Sequence, residues 1–309
     1  MKKLSAIFLM SFLVAIFMTG CGGDTPKPSA DTSNDKNKYS ICLITMDNEK
    51  DSYFKLIDEG CKNALKEYDN VNYTLINPTE RKAEIQGECI DKAVADGANA
   101  ILISAVSKTK INENLKKAED AGVKIIYVDS SADYEAIMTL ETDNEQAGKI
   151  AGQTMLKALA DAGITEGTIG VGAVNVEERN SDLRDKGFRS AFEGTNFVVA
   201  PTIYIGSESF KENETSNYVG FFGVNQIITF ALSEQIKNQD NNQIIITFDA
   251  DEATLAMIKD GKIYATIKQN PEMMGYEGFK IAVQALEGTF TDKNVNKDTG
   301  VEVITKDKL

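Results

Sequence analysis

From residue 39 onward, short apolar runs alternate with longer amphipathic segments, and this alternation restricts the fold more than any other feature of the chain. Residues 39–46 are mostly apolar, as in a strand that is buried on both faces. Residues 52–68 follow with apolar side chains at helical spacing. Apolar strands that alternate with helices are typical of parallel sheets covered on both faces. The pattern therefore predicts an α/β fold with doubly wound parallel sheets.

The alternation runs along the chain twice, which predicts two similarly built lobes. The predicted strands span 39–46, 71–77, 99–104, 123–128, 167–173, 197–205, 218–224, 243–248, 262–268 and 300–304. The predicted helices span 52–68, 82–97, 109–121, 143–162, 180–193, 226–237, 251–260 and 272–287. Segment 206–218 is short and very polar, so we expect a truncated or irregular helix there. Two facing sheets of this kind would hold a ligand beyond the carboxyl ends of their strands.

The composition favours a binding protein over an enzyme. The 309 residues include 33 basic and 47 acidic side chains, and the net charge of −14 is unfavourable for binding nucleic acid. Histidine is absent, which excludes a Ser-His-Asp triad, a Cys-His dyad and the usual zinc-hydrolase sites. Residues 292–303 resemble a calcium loop, but Lys297 and Val303 stand where glycine and glutamate are needed. We therefore expect no cofactor, no metal and no catalytic residue.

The N-terminal residues have the pattern of an export signal. A positive start is followed by an apolar run at residues 6–18, which is too short to span a bilayer comfortably. The run ends in Met-Thr-Gly-Cys21, which resembles the lipobox of bacterial lipoproteins. This predicts a signal peptide at 1–20 and a lipidated Cys21 that begins a flexible tether, 21–38. The alternative is an ordinary signal peptide followed by an unmodified cysteine.

Three further cysteines, Cys42, Cys61 and Cys89, lie on the apolar sides of predicted elements and form no CxxC motif. We expect them to act as small buried side chains. The sequence leaves open one disulfide among the three.

Residues 39–305 resemble the type I periplasmic binding proteins of bacterial sugar importers, the class of the ribose- and galactose-binding proteins. The matching segments occur in the family's order along nearly the whole chain. They are Asp51 to Gly60, Asp91 to Ile103, Gly122 to Asp129, Asp143 to Gly148, Arg184 to Phe188, Phe222 to Asn225, Thr247 to Asp249 and Ala265 to Gly275. Ser130 and Asp182 depart from the ribose-binding pattern, so the resemblance implies a class of ligand and not ribose itself.

The resemblance implies two doubly wound lobes joined by a hinge with three chain crossings. The N-terminal lobe would comprise 39–142 plus 270–298, and the C-terminal lobe 143–269 plus 299–309. It also implies a monomeric, extracytoplasmic lipoprotein that captures a monosaccharide or polyol and delivers it to the permease subunits of an ABC importer. The protein would meet the membrane only through its lipid anchor, on the outer face of the cytoplasmic membrane or on the periplasmic side.

Nine side chains are candidates for contacting such a ligand, and most of them follow a predicted strand or open the helix after it. Carboxylates accept paired hydrogen bonds from vicinal hydroxyls, amides both donate and accept, and aromatic faces suit the C–H face of a sugar ring. The candidates are Asp47, Asp51, Tyr53, Phe54, Asp129, Arg184, Asn225, Asp249 and Gln269.

Several of these residues also have simpler explanations. An aspartate after a strand is often a helix N-cap, and this alternative applies to the candidate Asp249 and also to Asp143, which is not among the nine candidates. Arg184 could pair with a neighbouring acid, and one of the aromatics Tyr53 and Phe54 could serve packing alone.

Two other function classes remain open in the sequence. A ligand sensor would present a sugar-like signalling molecule, such as an autoinducer-type furanose, to a membrane receptor. A glycosidase would need only a pair of carboxylates, but the family that the chain resembles is non-catalytic. A DNA-binding repressor is disfavoured because a signal peptide stands in place of the DNA-binding headpiece.

Overall fold

The structure is a computed structural model that describes residues 39–48, 52–174, 179–204, 218–238 and 243–309, with the side chains of 233–238 excepted. The expected signal peptide, Cys21 and the tether lie outside the described residues, as do Asp51 and nearly all of segment 206–218. None of the described helices is both long enough and apolar enough to cross a bilayer.

Strands and helices alternate along the described chain as the sequence predicts. The strands are β1 Tyr39–Ile44, β2 Val71–Ile76, β3 Ala100–Ile103, β4 Lys124–Val128, β5 Met138–Glu141, β6 Gly167–Ala173, β7 Phe197–Val199, β8 Ile203–Tyr204, β9 Gly220–Gly223, β10 Ile244–Phe248, β11 Ala265–Lys268, β12 Val295–Asp298 and β13 Glu302–Thr305. The helices are α1 Ser52–Leu65, α2 Ala83–Ala95, α3 Asn112–Asp120, α4 Asn144–Asp161, α5 Arg179–Ser190, α6 Gln226–Asn238, α7 Glu252–Lys259 and α8 Pro271–Glu287. A 3₁₀ turn, Lys306–Lys308, follows the last strand.

The strands form two separate sheets with the same internal order. The first has six parallel strands in the order β12-β5-β4-β3-β1-β2. The second has the order β13-β11-β10-β9-β6-β7, with β8 also paired to β6, and only β13 runs antiparallel to its neighbour. In each sheet the chain reverses its winding direction beside the first strand. Open α/β sheets bind ligands at this point, beyond the carboxyl ends of the strands.

The sequence pattern did not indicate β5 and β12, which form the edge of the first sheet. Both are four residues long, and β12 has the sequence Val-Asn-Lys-Asp with alternating exposed side chains. A short polar edge strand lacks the apolar run by which a buried strand is recognised. Its pairing with β5, in the register Val295 to Met138, is therefore a result of the tertiary structure.

Each sheet is covered by apolar side chains on both faces. Along β1, Ile41 and Leu43 enter one core cluster while Cys42 and Ile44 enter the other. Helix α8 packs on the first sheet although it follows the last parallel strand of the second, and α4 packs on the second sheet although it follows β5. The chain therefore passes between the sheets three times, at residues 142–143, 269–270 and 299–301.

The cysteines of the described chain are reduced. Cys42 and Cys61 are buried, Cys89 is half-buried, and no disulfide joins any of the three. Burial raises the pKa of the Cys42 thiol to about 11 and that of the Cys61 thiol to about 12, so both are neutral core side chains at physiological pH.

One pair of helices in each lobe is in backbone contact through glycines. A Cβ atom at Gly275 of α8 would lie 1.9 Å from the Ile57 carbonyl oxygen of α1, and one at Gly60 would lie 2.0 Å from the Glu272 carbonyl oxygen. Helices α4 and α5 cross in the same way, since a Cβ at Gly148 would lie 2.0 Å from a carbonyl oxygen of α5. A backbone atom cannot move aside as a flexible side chain can, so these positions require glycine.

We expect Gly275→Ala to lower the free energy of unfolding by about 3 kcal/mol, because the new methyl group must separate α1 from α8. Gly278→Ala on the same helix is the matched control. The three atoms nearest to its Cβ would be side-chain methyl carbons, at 3.1 to 3.6 Å, and we expect a loss below about 1 kcal/mol. Urea unfolding of both variants measures the difference, and equal losses would show that the helix crossing does not need glycine.

Candidate functional site

The carboxyl ends of both sheets open onto one cavity of about 100 Å³, which has room for a molecule with the bulk of several waters. The first sheet contributes the residues after β1, β3 and β4, and the second contributes those after β9, β10 and β11. The described lining residues are Met46, Tyr53, Phe54, Arg81, Ala105, Val106, Ser107, Lys108, Asp129, Ser130, Ser131, Arg179, Asn180, Ser181, Arg184, Asn225, Gln226, Ile227, Asp249 and Gln269.

Asp129 and Asp249 occupy equivalent positions in the two sheets. Each is the first residue after its strand, and each has a φ of 69°, in the left-handed region that non-glycine residues rarely adopt. The Asp129 amide donates to the carbonyl oxygen of Leu140, and the Asp249 amide donates to that of Ile267, in both cases on the adjacent strand. Backbone strain of this kind is concentrated at functional sites.

The Asp129 carboxylate is buried and held by two hydroxyl groups. Tyr53 Oη donates to its Oδ1 at 2.9 Å, and Ser104 Oγ donates to its Oδ2 at 3.0 Å. Burial raises the pKa of Asp129, and the guanidinium of Arg184 and the two hydroxyl donors oppose this shift. Burial and the carboxylates of Asp129 and Asp249 raise the pKa of Tyr53 well above its usual range, so its hydroxyl stays a donor.

Asp249 is held from its own lobe and does not cap a helix. Gln269 Nε2 donates to Asp249 Oδ1 at 2.8 Å, and Thr142 Oγ1 donates to Gln269 Oε1 at 2.8 Å. The cap of α7 is Asp251, whose carboxylate accepts from the Thr254 amide. Asp143, by contrast, is the N-cap of α4, as the simpler explanation has it.

Arg184 is fixed on three sides at the back of the cavity. Its Nε donates to Asn144 Oδ1 at 2.7 Å, its Nη1 donates to the Val224 carbonyl oxygen at 3.0 Å, and its guanidinium lies 3.7 Å from the centre of the Phe248 ring. The side chain is only 3% exposed and has no carboxylate partner within hydrogen-bonding distance among the described residues. Arg184 therefore lines the cavity as a fixed cation, held by an amide, a carbonyl oxygen and an aromatic ring.

The three aromatic residues near the cavity have different surroundings. Phe54 is buried in the core of the first lobe and also lines the cavity. Tyr53 is half-buried, packs edge-on against Phe54 and places its hydroxyl on Asp129. Phe248 is fully buried beneath Arg184 and is absent from the lining.

Two candidates from the sequence have roles within the protein itself. Asp47 is not among the residues that line the cavity; its Oδ1 accepts from the Asn48 amide and its Oδ2 lies 3.9 Å from Arg81 Nη1. Asn225 does line the cavity, but its Oδ1 accepts from the Ile228 amide in the first turn of α6. Its removal would therefore weaken that helix as well as the cavity wall.

The sequence pattern missed several polar residues of the site. Ser104 directly follows β3, and its hydroxyl contacts the Asp129 carboxylate. Arg81 and Lys108 reach the cavity from loops. Arg179 and Asn180 open α5 and contact the other lobe: Asn180 Nδ2 donates to the Asp129 carbonyl oxygen at 3.2 Å, and Arg179 Nη1 lies 3.7 Å from the Asp133 carboxylate. Ser104 could have been found from the sequence, because it directly follows a strand, as Asp129 does. The loop residues have no comparable pattern in the sequence.

The arrangement suits the binding of a polar organic molecule. Among the described residues, no group of three or more His, Cys, Asp or Glu side chains is arranged to hold a metal ion. The cavity instead combines two carboxylates, four side-chain amides and three guanidinium groups with aromatic surface from the first lobe. Acceptors and donors of this kind match a ligand that carries several hydroxyl groups.

A family model of the periplasmic binding protein domain matches residues 41–289 of the chain. The chain belongs to this family. Among curated relatives, the ribose import binding protein of Bacillus subtilis is 24% identical over 306 residues, which cover 96% of each chain. The D-apiose import binding protein of Paraburkholderia graminis is 22% identical over 245 residues, 75% of this chain and 77% of that protein.

Solved structures of solute-binding proteins share the fold. One from Burkholderia graminis, in complex with D-arabinose, superposes with a TM-score of 0.78 at 24% identity and covers 88% of this chain and 97% of its own. A carbohydrate transporter solute-binding protein from Agrobacterium radiobacter, also with D-arabinose, gives 0.77 at 26% identity, with 87% and 95% covered. The architecture is that of the type I periplasmic binding proteins.

We expect Asp129→Asn to raise the melting temperature of the sugar-free protein at neutral pH. Because the pKa of Asp129 is higher in the folded protein than in the unfolded chain, ionisation of this carboxyl costs stability as the pH rises through that interval. The gain over wild type should therefore grow as the pH rises from about 4, the ordinary pKa of an aspartate, toward neutral pH. Thermal melts across this range measure it, and a gain that is the same at every pH would contradict the buried-charge explanation.

Proposed function

We propose that the protein is an extracytoplasmic solute-binding lipoprotein that captures a monosaccharide or related polyol between its two lobes and delivers it to an ABC importer. A relative over nearly the whole chain is an import binding protein for ribose, and a relative over three quarters of the chain is one for D-apiose. Related structures contain D-arabinose. The proposed ligand residues are Asp51, Tyr53, Phe54, Asp129, Arg184, Asn225, Asp249 and Gln269, with Asp47 acting through Arg81.

The observation that carries the proposal is the pair Asp129 and Asp249. Both are held in a strained backbone conformation at equivalent strand ends, and both face the same cavity from different lobes. A structure that bears this strain twice at one cavity favours a ligand that uses both carboxylates. Uncharged hydroxyl groups are suitable partners, because each carboxylate can accept two hydrogen bonds from them. These bonds are strengthened by the charge of the carboxylate, so the ligand needs no charge of its own.

The division into lobes supports a capture mechanism. We propose that 39–142 plus 270–298 and 143–269 plus 299–309 move relative to one another about the three crossings. Each of the first two crossings has only two residues between a strand and a helix, so few backbone angles need to change. Closing would remove water from the polar groups of the cavity and sharpen the discrimination among hydroxyl stereoisomers.

We propose binding without catalysis, in a monomer held at the membrane by a lipid on Cys21. Both oxygens of the Asp129 carboxylate already accept hydrogen bonds from protein hydroxyls, which suits a fixed acceptor better than a group that exchanges protons with a substrate. The permease subunits of the importer are the proposed protein partners.

The decisive experiment is a thermal-shift screen of the purified protein against monosaccharides and polyols, together with amino acids and organic anions. A ligand that binds only the folded state raises the melting temperature. We expect pentoses, hexoses or polyols to give the largest shifts and to be recovered unmodified. Shifts with amino acids or anions alone would contradict the proposal.

Asp249→Ala should weaken binding of the sugar found by the screen by about a hundredfold or more, since two charge-assisted hydrogen bonds are worth roughly 3 kcal/mol at the low end. Asp251→Ala is the matched control two residues away. It removes the cap of α7 and should lower the melting temperature, yet leave the affinity close to that of wild type. Calorimetric titration measures both, and wild-type affinity in Asp249→Ala would remove this residue from the site.

Cys21→Ser should release the mature protein from the membrane, because the lipid is its only proposed anchor. Fractionation of cells that express each form measures this. A Cys21→Ser protein that is processed and still sediments with membranes would contradict the lipid anchor.

A further inference from the structure

Arg184 and Asp249, two of the proposed ligand residues in the second lobe, are linked by hydrogen bonds through three intervening residues. Arg184 Nε donates to Asn144 Oδ1, and Asn144 Nδ2 donates to the Thr142 carbonyl oxygen at 2.9 Å. Thr142 Oγ1 donates to Gln269 Oε1, and Gln269 Nε2 donates to Asp249 Oδ1. We call these five residues the relay.

The chemistry of its two ends determines the direction of every bond in the relay. A guanidinium can only donate, so the Asn144 amide must present its oxygen to Arg184. An ionised carboxylate can only accept, so the Gln269 amide must present its nitrogen to Asp249. The Gln269 oxygen therefore faces Thr142, whose hydroxyl has to donate. All donors point from the cation toward the anion, and the two halves of the relay meet at Thr142, whose carbonyl oxygen accepts one bond and whose hydroxyl donates the next.

The middle of the relay lies in the chain crossings. Thr142 belongs to the two-residue crossing between β5 and α4, and Gln269 belongs to the two-residue crossing between β11 and α8. Both side chains are buried, at 2% and 5% exposure. The hydroxyl of Thr142 thus connects two of the three crossings directly, away from the cavity lining, in which Thr142 takes no part.

We propose that Thr142 is a positioning residue for ligand binding. Its hydroxyl orients the Gln269 amide, and the Gln269 amide in turn fixes the Asp249 carboxylate. Because Thr142 and Gln269 lie in different crossings, the orientation of Asp249 depends on the relative position of the two crossings. A ligand that engages Asp249 and Arg184 would thereby favour one hinge arrangement. The inference rests on the proposed function, since it concerns how the same cavity is shaped.

Two variants at one position separate the hydroxyl from the bulk of the side chain. Thr142→Val keeps the shape and removes the donor, whereas Thr142→Ser keeps the donor. The first readout needs no sugar: the Gln269 side-chain amide protons, followed by ¹⁵N NMR, should exchange with solvent at least about tenfold faster in Thr142→Val and at the wild-type rate in Thr142→Ser. Unchanged exchange in Thr142→Val would overturn the relay.

The second readout is affinity, measured by titration with D-ribose and D-arabinose. Thr142→Val should weaken binding about tenfold, which corresponds to one hydrogen bond of ~1.4 kcal/mol, and Thr142→Ser by less than about twofold. In an Asp249→Ala background, Thr142→Val should weaken binding by less than about a further twofold, because the end of the relay is already lost. An equal loss in both backgrounds, or a lowered melting temperature with unchanged affinity, would assign Thr142 a structural role only.

The two proposals fail in different ways. If neither pentose nor any other sugar of the screen binds wild-type protein, the proposed ligand class is wrong, and the amide exchange still decides the relay. If sugars bind and Thr142→Val behaves as wild type in both measurements, the relay is wrong and the proposed function stands.

Discussion

The constraint on which the rest of this site depends is that two carboxylates at the ends of parallel strands are withdrawn from water, Asp129 buried and Asp249 half-buried. An unpaired buried charge is costly, so each aspartate requires donors that reach it from elsewhere in the chain. Asp129 receives them from Tyr53 on α1 and Ser104 after β3, and Asp249 receives one from Gln269. The two carboxylates and donors such as Tyr53 and Gln269 together form much of the polar wall of the cavity.

The glycine contacts show how backbone packing holds those donors in place. Helix α1, which carries Tyr53, meets α8 in backbone contact, and α8 begins directly after the crossing that contains Gln269. Helix α5, which carries Arg184, meets α4 in the same manner. Close crossings without intervening side chains leave little freedom for sliding, because interiors are packed at crystal-like density. The same close contact occurs in both lobes, so each wall of the cavity rests on a tightly packed pair of helices.

The relay adds a link between those walls and the hinge. Its ends are a cation and an anion of the site, and its centre is a threonine that touches neither the cavity nor solvent. Buried polar groups of this kind are retained only when every partner is satisfied, and a fully satisfied network specifies one arrangement of the chain. A residue remote from the ligand can therefore contribute to recognition through the geometry it imposes on the residues that make contact.

The sequence by itself determined the alternation of strands and helices and its repetition in two lobes, since apolar periodicity is a local property. It also placed Asp129, Asp249 and Gln269 at strand ends, where parallel strands bring their carboxyl ends to one edge. It did not reveal the edge strands β5 and β12 or the interlobe contact of Asn180, and it did not assign Asn225 to a helix cap. Nor did it single out Thr142. The cap at Asn225 is a local contact with the amide three residues on, but the other features depend on partners far apart in the chain, such as Thr142 and Gln269. Only the tertiary structure decides which distant donor meets which acceptor.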